Sequence, residues 1–514
     1  MNDRRADEHL LFRETEEMAV TLILALLVVA FVWWNASKKP PNYPPGPRRW
    51  PILGNILSMR GRPLYLIARD LKERYGNVVG LYVGSQPLVI ISGYAAVKEA
   101  SSREDLSGRP ASELSLKIGN GLIRGLIFSQ GELWREQRRF TLRQLRDLGF
   151  GKRSMEGLIH EEVNSLILEV GRMAGADWSQ PVELNNVLGT SGINVLWHVM
   201  AGRRYAHGDP KLKELTGMIK ELLTITDASG GIANNFPMLT RYAPFLTEKS
   251  KILAVRKKLI SFLAEDINNH KATLDSENPR DFIDIYLIEM ENNKIKGKDT
   301  TFTERCLTEV CRDLFMAGLD TTFNSITFAL VYMVRYPHVQ KRVQMELDEV
   351  VGQERLPGLE DRTSLPYTDA TIMEVLRMSS VVPMAVPHAP LSSCEADVSF
   401  QGHTIPKNAR ILMNLSGIHM EPKIWSDPEN FRPERFLNDE GRLLKQESLV
   451  PFGLGKRQCL GESLARNNLY LFFTAIMQRF TLSVTPGEEP PSVEPVGGFT
   501  LAPMNSRATI APRF

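Results

Sequence analysis

The sequence predicts a mostly α-helical body with a small β-rich part, preceded by a single transmembrane helix. Three observations carry this. Met18 to Trp34 runs seventeen residues without a charge. Helical patterning dominates from about residue 93 to about residue 380 and includes a proline-free segment, Arg305 to Tyr336. Strand-like runs occur near Val78 to Ser92 and again near Val398 to Leu415.

The chain divides in order. Residues 1–17 form a polar tail containing Arg4, Arg5 and Arg13. Residues 18–34 make roughly 25 Å of helix, enough to cross a thin bilayer. Trp33 and Trp34 suit the headgroup layer at its end. Lys38, Lys39, Arg48 and Arg49 follow and favour a cytosolic body, although the arginines of the tail weaken that asymmetry. Bulky residues close the run and no small-residue cleavage site follows, so it reads as an anchor rather than a cleaved signal. Residues 35–55 carry prolines at 40, 41, 44, 45, 47 and 51, a stiff hinge between membrane and body.

Residues 56–514 contain no repeat, low-complexity stretch or linker that would divide them, and read as one body. Val78 to Gly84 and Pro87 to Ser92 flank a Gly-Ser-Gln-Pro turn, a hairpin signal. Arg305 to Tyr336 would span nearly 50 Å as a helix, long enough to cross the body and line a central cavity.

Charge and cysteine usage exclude several function classes. Sixty-two basic minus sixty acidic residues leave +2, which gives no global attraction for nucleic acid. The four cysteines, Cys306, Cys311, Cys394 and Cys459, form no CxxC pair and no disulfide framework. A reducing, cytosol-facing compartment follows.

The sharpest motif runs from Pro451 to Gly461, Pro-Phe-Gly-Leu-Gly-Lys-Arg-Gln-Cys-Leu-Gly. Glycines at 453, 455 and 461 let backbone approach a flat object. A helical run follows directly, and its positive end is expected to lower the pKa of Cys459, the thiolate being the metal-binding form. Glu374 and Arg377 stand at i and i+3 on a helix, and Pro433-Glu434-Arg435-Phe436 lies downstream. Gly318, Asp320 and Thr321 interrupt the long helix with weak helix formers, expected to open a local groove. Trp134 and Arg138 share one helix face. Arg135, Arg139, Arg143 and Arg146 form a second, basic stripe, either a solvated face or a dock for an acidic partner.

Phe452, Gly455, Arg457, Cys459 and Gly461 fit the haem-ligand signature Phe-x-x-Gly-x-Arg-x-Cys-x-Gly, and the chain resembles the cytochrome P450 family. Gly-Leu-Ile-Phe-Ser-Gln-Gly-Glu-Leu-Trp, from Gly125, is similar to the microsomal animal subgroup, insect members included. The resemblance implies a trigonal-prism fold, with residues 56–514 as the haem-binding catalytic domain. It implies haem b ligated by Cys459. Trp134, Arg138, Arg457 and His388 would hold the propionates, with Phe452 and Gly461 in the haem loop. Thr321 and Asp320 would relay protons, and Glu374, Arg377 and Arg435 would form a structural clamp.

By the same resemblance, NADPH electrons arrive through a flavoprotein reductase, with cytochrome b5 as a second donor, at the endoplasmic reticulum membrane. The substrate pocket would be lined by Ser112 to Phe128, the long helix around Phe315 and Ala317, Val381 to Pro387 and Gly498 to Leu501. These segments carry few charges and suit an apolar, lipid- or terpenoid-like substrate. Oxygen insertion is the expected reaction. A same-fold isomerase or dehydratase acting without a reductase, or a haem-binding sensor, stays open at this stage.

Overall fold

The computed structural model describes residues 39–149, 155–225 and 228–514, with helical positions at 18, 20–24, 28 and 31. The anchor expected over 18–34 lies largely outside the described residues; Met18, Leu22, Val28 and Phe31 within it are helical and exposed.

The fold is helical with four small sheets. Helices that line or back the cavity include, in chain order, α1 (Tyr94–Ser102), α2 (Glu113–Gly119), α3 (Gly131–Asp147), α4 (Leu184–Ala201) and α5 (Lys249–Thr273). They continue with α6 (Glu304–Arg335), α7 (Pro366–Ser379), α8 (Leu415–His419) and α9 (Glu462–Arg479). The hairpin read from the sequence forms as β1 (Val78–Val83) and β2 (Gln86–Ser92), with Val78 opposite Ile91. β3 (Val182–Glu183) joins the carboxyl-terminal strands, while β4 (Val398–Phe400) and β5 (His403–Ile405) pair antiparallel. β6 (Arg410–Asn414) runs parallel to β2, a pairing across more than three hundred residues that no local pattern announces. β7 (Phe480–Ser483), β8 (Pro495–Gly497), β9 (Leu501–Pro503) and β10 (Arg507–Pro512) complete the set.

The organising element is α6. Thr303 caps its start, its side chain accepting from the Cys306 amide, and nearly every side chain from Leu319 to Val334 is buried. It is the one described helix long and apolar enough to cross a bilayer, yet it is the hub of the core. Phe315 packs edge-on to Trp197 at 5.1 Å and against Phe262, which turns it away from the cavity it was expected to line. The expected groove does not form either. The helix is continuous, Thr321 Oγ1 donates to the Ala317 carbonyl at 2.8 Å, and Gly318 serves to admit Leu196 of α4. A Cβ at Gly318 would sit 2.4 Å from Leu196 Cδ2.

Candidate active site

A cavity of about 620 Å³ lies between α6 and the Pro451–Gly461 loop. Cys459 forms part of its wall. The loop is closed by main-chain bonds, Gly453 N to Val450 O at 3.0 Å and Cys459 N to Phe452 O at 2.9 Å. Gly453 has φ of +74°, a backbone conformation that favours glycine, with open space where a side chain would stand. Gly455 has a different reason. A Cβ there would meet the Ser101 carbonyl at the end of α1, so it is needed for packing.

Cys459 sits just before α9 and is exposed to the open cavity, yet desolvation by the surrounding protein raises its thiol pKa and outweighs the Gly461 amide and Arg138. The expected dipole-lowered thiol is not what the protein by itself provides. A bound cation would supply the missing stabilisation of the thiolate.

One rim of the cavity is cationic. Arg457 donates to Ser107 O and Ser129 O, both at 2.9 Å, and stacks its guanidinium 3.7 Å from the Trp134 ring centroid. Arg138 Nη2 donates to Gln458 O at 2.6 Å. Arg109 is buried and donates to Ile127 O, Val386 O and Pro387 O at 2.8 to 2.9 Å. Among the described residues none of these three guanidiniums pairs with a carboxylate. Burial, with Arg138 beside it, pushes Arg457 down to about 9. Burial, Arg457 and Arg138 hold Arg109 well below its usual range. His388 is neutral for the same reasons, burial first and then Arg109 and Arg457. His388 Nδ1 lies 2.9 Å from the Val386 carbonyl, which can only accept, and 3.1 Å from Arg109 Nη1, which can only donate, so either tautomer satisfies one of the two contacts. On this rim, among the described residues, two buried donors have no hydrogen-bond partner, Trp134 Nε1 and Arg457 Nη1. A buried orphan donor costs about 1–3 kcal/mol. A flat ligand bearing two carboxylates would satisfy both donors and neutralise the rim, with Cys459 in the wall of the same cavity to hold a metal.

A model of the Cytochrome P450 family matches residues 44–509. The chain belongs to the cytochrome P450 family. It is 37% identical to a farnesoate epoxidase of Bombyx mori over 500 residues, 96% of this chain and 99% of that protein. It is 37% identical to cytochrome P450 2J5 of Mus musculus over 96% of each chain. Cytochrome P450 2U1 of Bos taurus is 35% identical, covering 94% of this chain and 92% of its own. The protein is therefore a P450 monooxygenase, and membership implies haem iron held by a cysteine thiolate.

In this P450 the remaining motif residues divide. Glu374, Arg377 and Arg435 meet in full burial. Glu374 accepts from Arg377 Nε at 2.7 Å and Nη2 at 2.8 Å, from Arg435 Nε at 3.0 Å and from the Arg432 amide at 2.9 Å. Thr321 and Thr322 line the cavity, but Asp320 does not. Its carboxylate is held behind the helix, accepting from Thr500 Oγ1 at 2.6 Å and Asn324 Nδ2 at 2.9 Å. Phe452 and Gly461 line the cavity, Phe452 lying beneath the Arg466 guanidinium.

Two features escaped the sequence reading. Arg109 joins the rim through contacts to a segment 277 residues away. The cavity is also less neutral than expected. Arg256, Glu309, Arg312 and Asp313 line it, with Arg312 paired to Glu309 at 2.8 Å and Asp313 at 2.6 Å and Arg256 paired to Glu309. Asp313 also accepts the Leu126 and Ile127 amides at 2.7 and 2.9 Å, fixing the lining loop to α6.

Proposed function

We propose that this P450 is a membrane-bound monooxygenase of the endoplasmic reticulum, its body facing the cytosol. It inserts one atom of dioxygen into an apolar, lipid- or terpenoid-like substrate by hydroxylation or epoxidation. Electrons come from NADPH through a flavoprotein reductase, with cytochrome b5 as a second donor. The observation that carries the cofactor assignment is the unneutralised rim with its two orphan donors, which lines the same cavity as Cys459.

Haem, when bound, supplies the oxygen activation, and a thiolate ligand favours cleavage of the O–O bond. The chain supplies the rest. Trp134, Arg138, Arg457, Arg109 and His388 would hold the propionates, and Cys459 Sγ the iron. Glu374, Arg377 and Arg435 brace the segment behind the haem loop. Thr321 Oγ1, resting on Ala317 O, can turn its proton toward the cavity. Thr500 and Asn324 both donate to Asp320 Oδ2, so Asp320 can enter that relay through Oδ1 or by releasing those partners.

Substrate class is read from the wall and the outer surface. Leu122, Ile123, Leu126, Phe128, Val381, Val382 and Phe499 face the cavity. Met238, Tyr242, Phe245 and Leu246 are exposed together, an apolar surface suited to a bilayer. The relative named for farnesoate favours an isoprenoid ligand. On the side of the cysteine loop, Arg135, Arg139, Arg143 and Arg146 are exposed, and Lys456 and Arg135 share Glu104, a face suited to an acidic donor.

Cys459→Ala tests the assignment. The variant is expected to lose the thiolate-type absorption of the reduced carbon-monoxide complex; a spectrum equal to wild type overturns the ligand. In the wild type, NADPH consumption with added reductase should rise with an apolar ligand and fall as salt is raised. Turnover independent of reductase would favour the isomerase reading.

A further inference from the structure

We propose that His419 is a positioning residue for the thiolate: its imidazole ties the Glu374–Arg377 clamp to the strand of backbone that carries Cys459. His419 ends α8 and is completely buried. Its Nε2 lies 2.9 Å from the Val450 amide, its Nδ1 lies 2.7 Å from Ser380 Oγ, and its carbonyl accepts from Arg377 Nη1 at 2.8 Å.

Every proton in this chain of contacts has a determined place. Ser380 Oγ donates to the Arg377 carbonyl at 3.0 Å, so its hydrogen is committed and it accepts from the imidazole. That puts the ring proton on Nδ1 and leaves the Nε2 lone pair for the Val450 amide. A charged ring could not accept, and burial, aided by Arg377, holds His419 in its neutral form. From Val450 the tie continues through main chain, Val450 O to Gly453 N and Phe452 O to Cys459 N. The buried ion pair is thus connected, bond by bond, to the residue that ligates iron. A core histidine with satisfied partners would need no such directionality, and here each end of the ring meets a different part of the machinery.

The role rests on the haem-thiolate reading, and a normal thiolate band in the wild-type holoenzyme separates failure of that reading from failure of this one. Two variants divide the contacts. In His419→Gln the amide reaches as far as Nε2 and can accept from Val450. In His419→Asn it stops at the level of Nδ1 and reaches Ser380 alone. The readout is the ratio of thiol-type to thiolate-type absorption in the reduced carbon-monoxide complex, taken beside the melting temperature.

Loss of one buried hydrogen bond predicts about a tenfold rise in that ratio for Asn, and about twofold or less for Gln. Equal ratios in the two variants overturn the proposal. Should the Asn variant not take up haem, Ser380→Ala keeps the imidazole and frees its tautomer. The same ratio should then rise about threefold, as a weaker version of the same loss. An unmoved ratio in Ser380→Ala overturns the proposal equally.

Discussion

Replacing Glu374 by Gln probes whether the buried clamp does the bracing assigned to it. The substitution keeps shape and removes charge. Glu374 Oε1 takes three donors, from Arg377, Arg435 and the Arg432 amide, and Oε2 takes the 2.7 Å bond from Arg377 Nε. An amide oxygen can replace Oε1, but the amide nitrogen then faces Arg377 Nε, donor against donor. Arg377, with no exposed surface, keeps its charge without a full counter-charge.

Breaking one side of a buried ion pair costs about 3–5 kcal/mol, a large part of a typical stability of roughly 5–15 kcal/mol. The folded-to-unfolded ratio should fall at least about a hundredfold. Arg342 and Glu434 provide the control, an ion pair at 2.9 Å in the neighbouring segment with both side chains about half exposed. Glu434→Gln should cost under about 1 kcal/mol, because water screens such pairs. Urea unfolding followed by fluorescence, with the thiolate band as a second probe, measures both. A Glu374→Gln loss no larger than that of Glu434→Gln would refute the argument.

Three further outcomes follow from the same geometry. Thr321→Ala should retain haem and its thiolate band yet release more hydrogen peroxide per NADPH consumed, which a peroxide assay beside product counting reads; unchanged coupling removes Thr321 from the relay. Trp134→Phe keeps the ring under Arg457 and deletes the orphan Nε1 donor, so haem dissociation should accelerate about tenfold or more, the worth of a hydrogen bond to a charged group. Haem transfer to an acceptor protein measures it. His419, held at about 3 against an ordinary value of 6.5, stays neutral in the fold while the unfolded chain takes up a proton. Stability should therefore decline as pH falls from about 6.5 toward 3, by about 1.4 kcal/mol per unit from this group alone. Urea midpoints at stepped pH, compared with His419→Gln, isolate that share.

The sequence made the chemistry more legible than the packing. Motifs compressed into a few residues, such as Phe452 to Gly461 or Glu374 to Arg377, report their partners because spacing fixes what can meet. The hairpin β1–β2 and the helix α6 were likewise written locally, in turn chemistry and in the absence of proline. What stayed hidden depends on distant segments. Phe315 and Ala317 are two residues apart on α6 and face opposite ways, and only the positions of Trp197 and Phe262 decide which faces the cavity. Gly318 looked like a helix opener until Leu196 supplied a reason for its small size. Asp320 looked like a cavity residue until Thr500, 180 positions later, claimed its carboxylate. The propionate rim was read from Trp134, Arg138 and Arg457, but Arg109 belongs to it only through backbone carbonyls brought from Val386 and Pro387.

The three guanidiniums beside Trp134 set an order of events in the life of this polypeptide. Like charges gathered away from water repel one another, so the body is at its least durable until a dianionic porphyrin arrives, and binding then adds its own free energy to folding. Porphyrin supply thereby becomes a quality checkpoint. In a cell short of it, newly made chains would linger in an openable form and be cleared by proteolysis, so that enzyme abundance follows cofactor synthesis without a dedicated regulator.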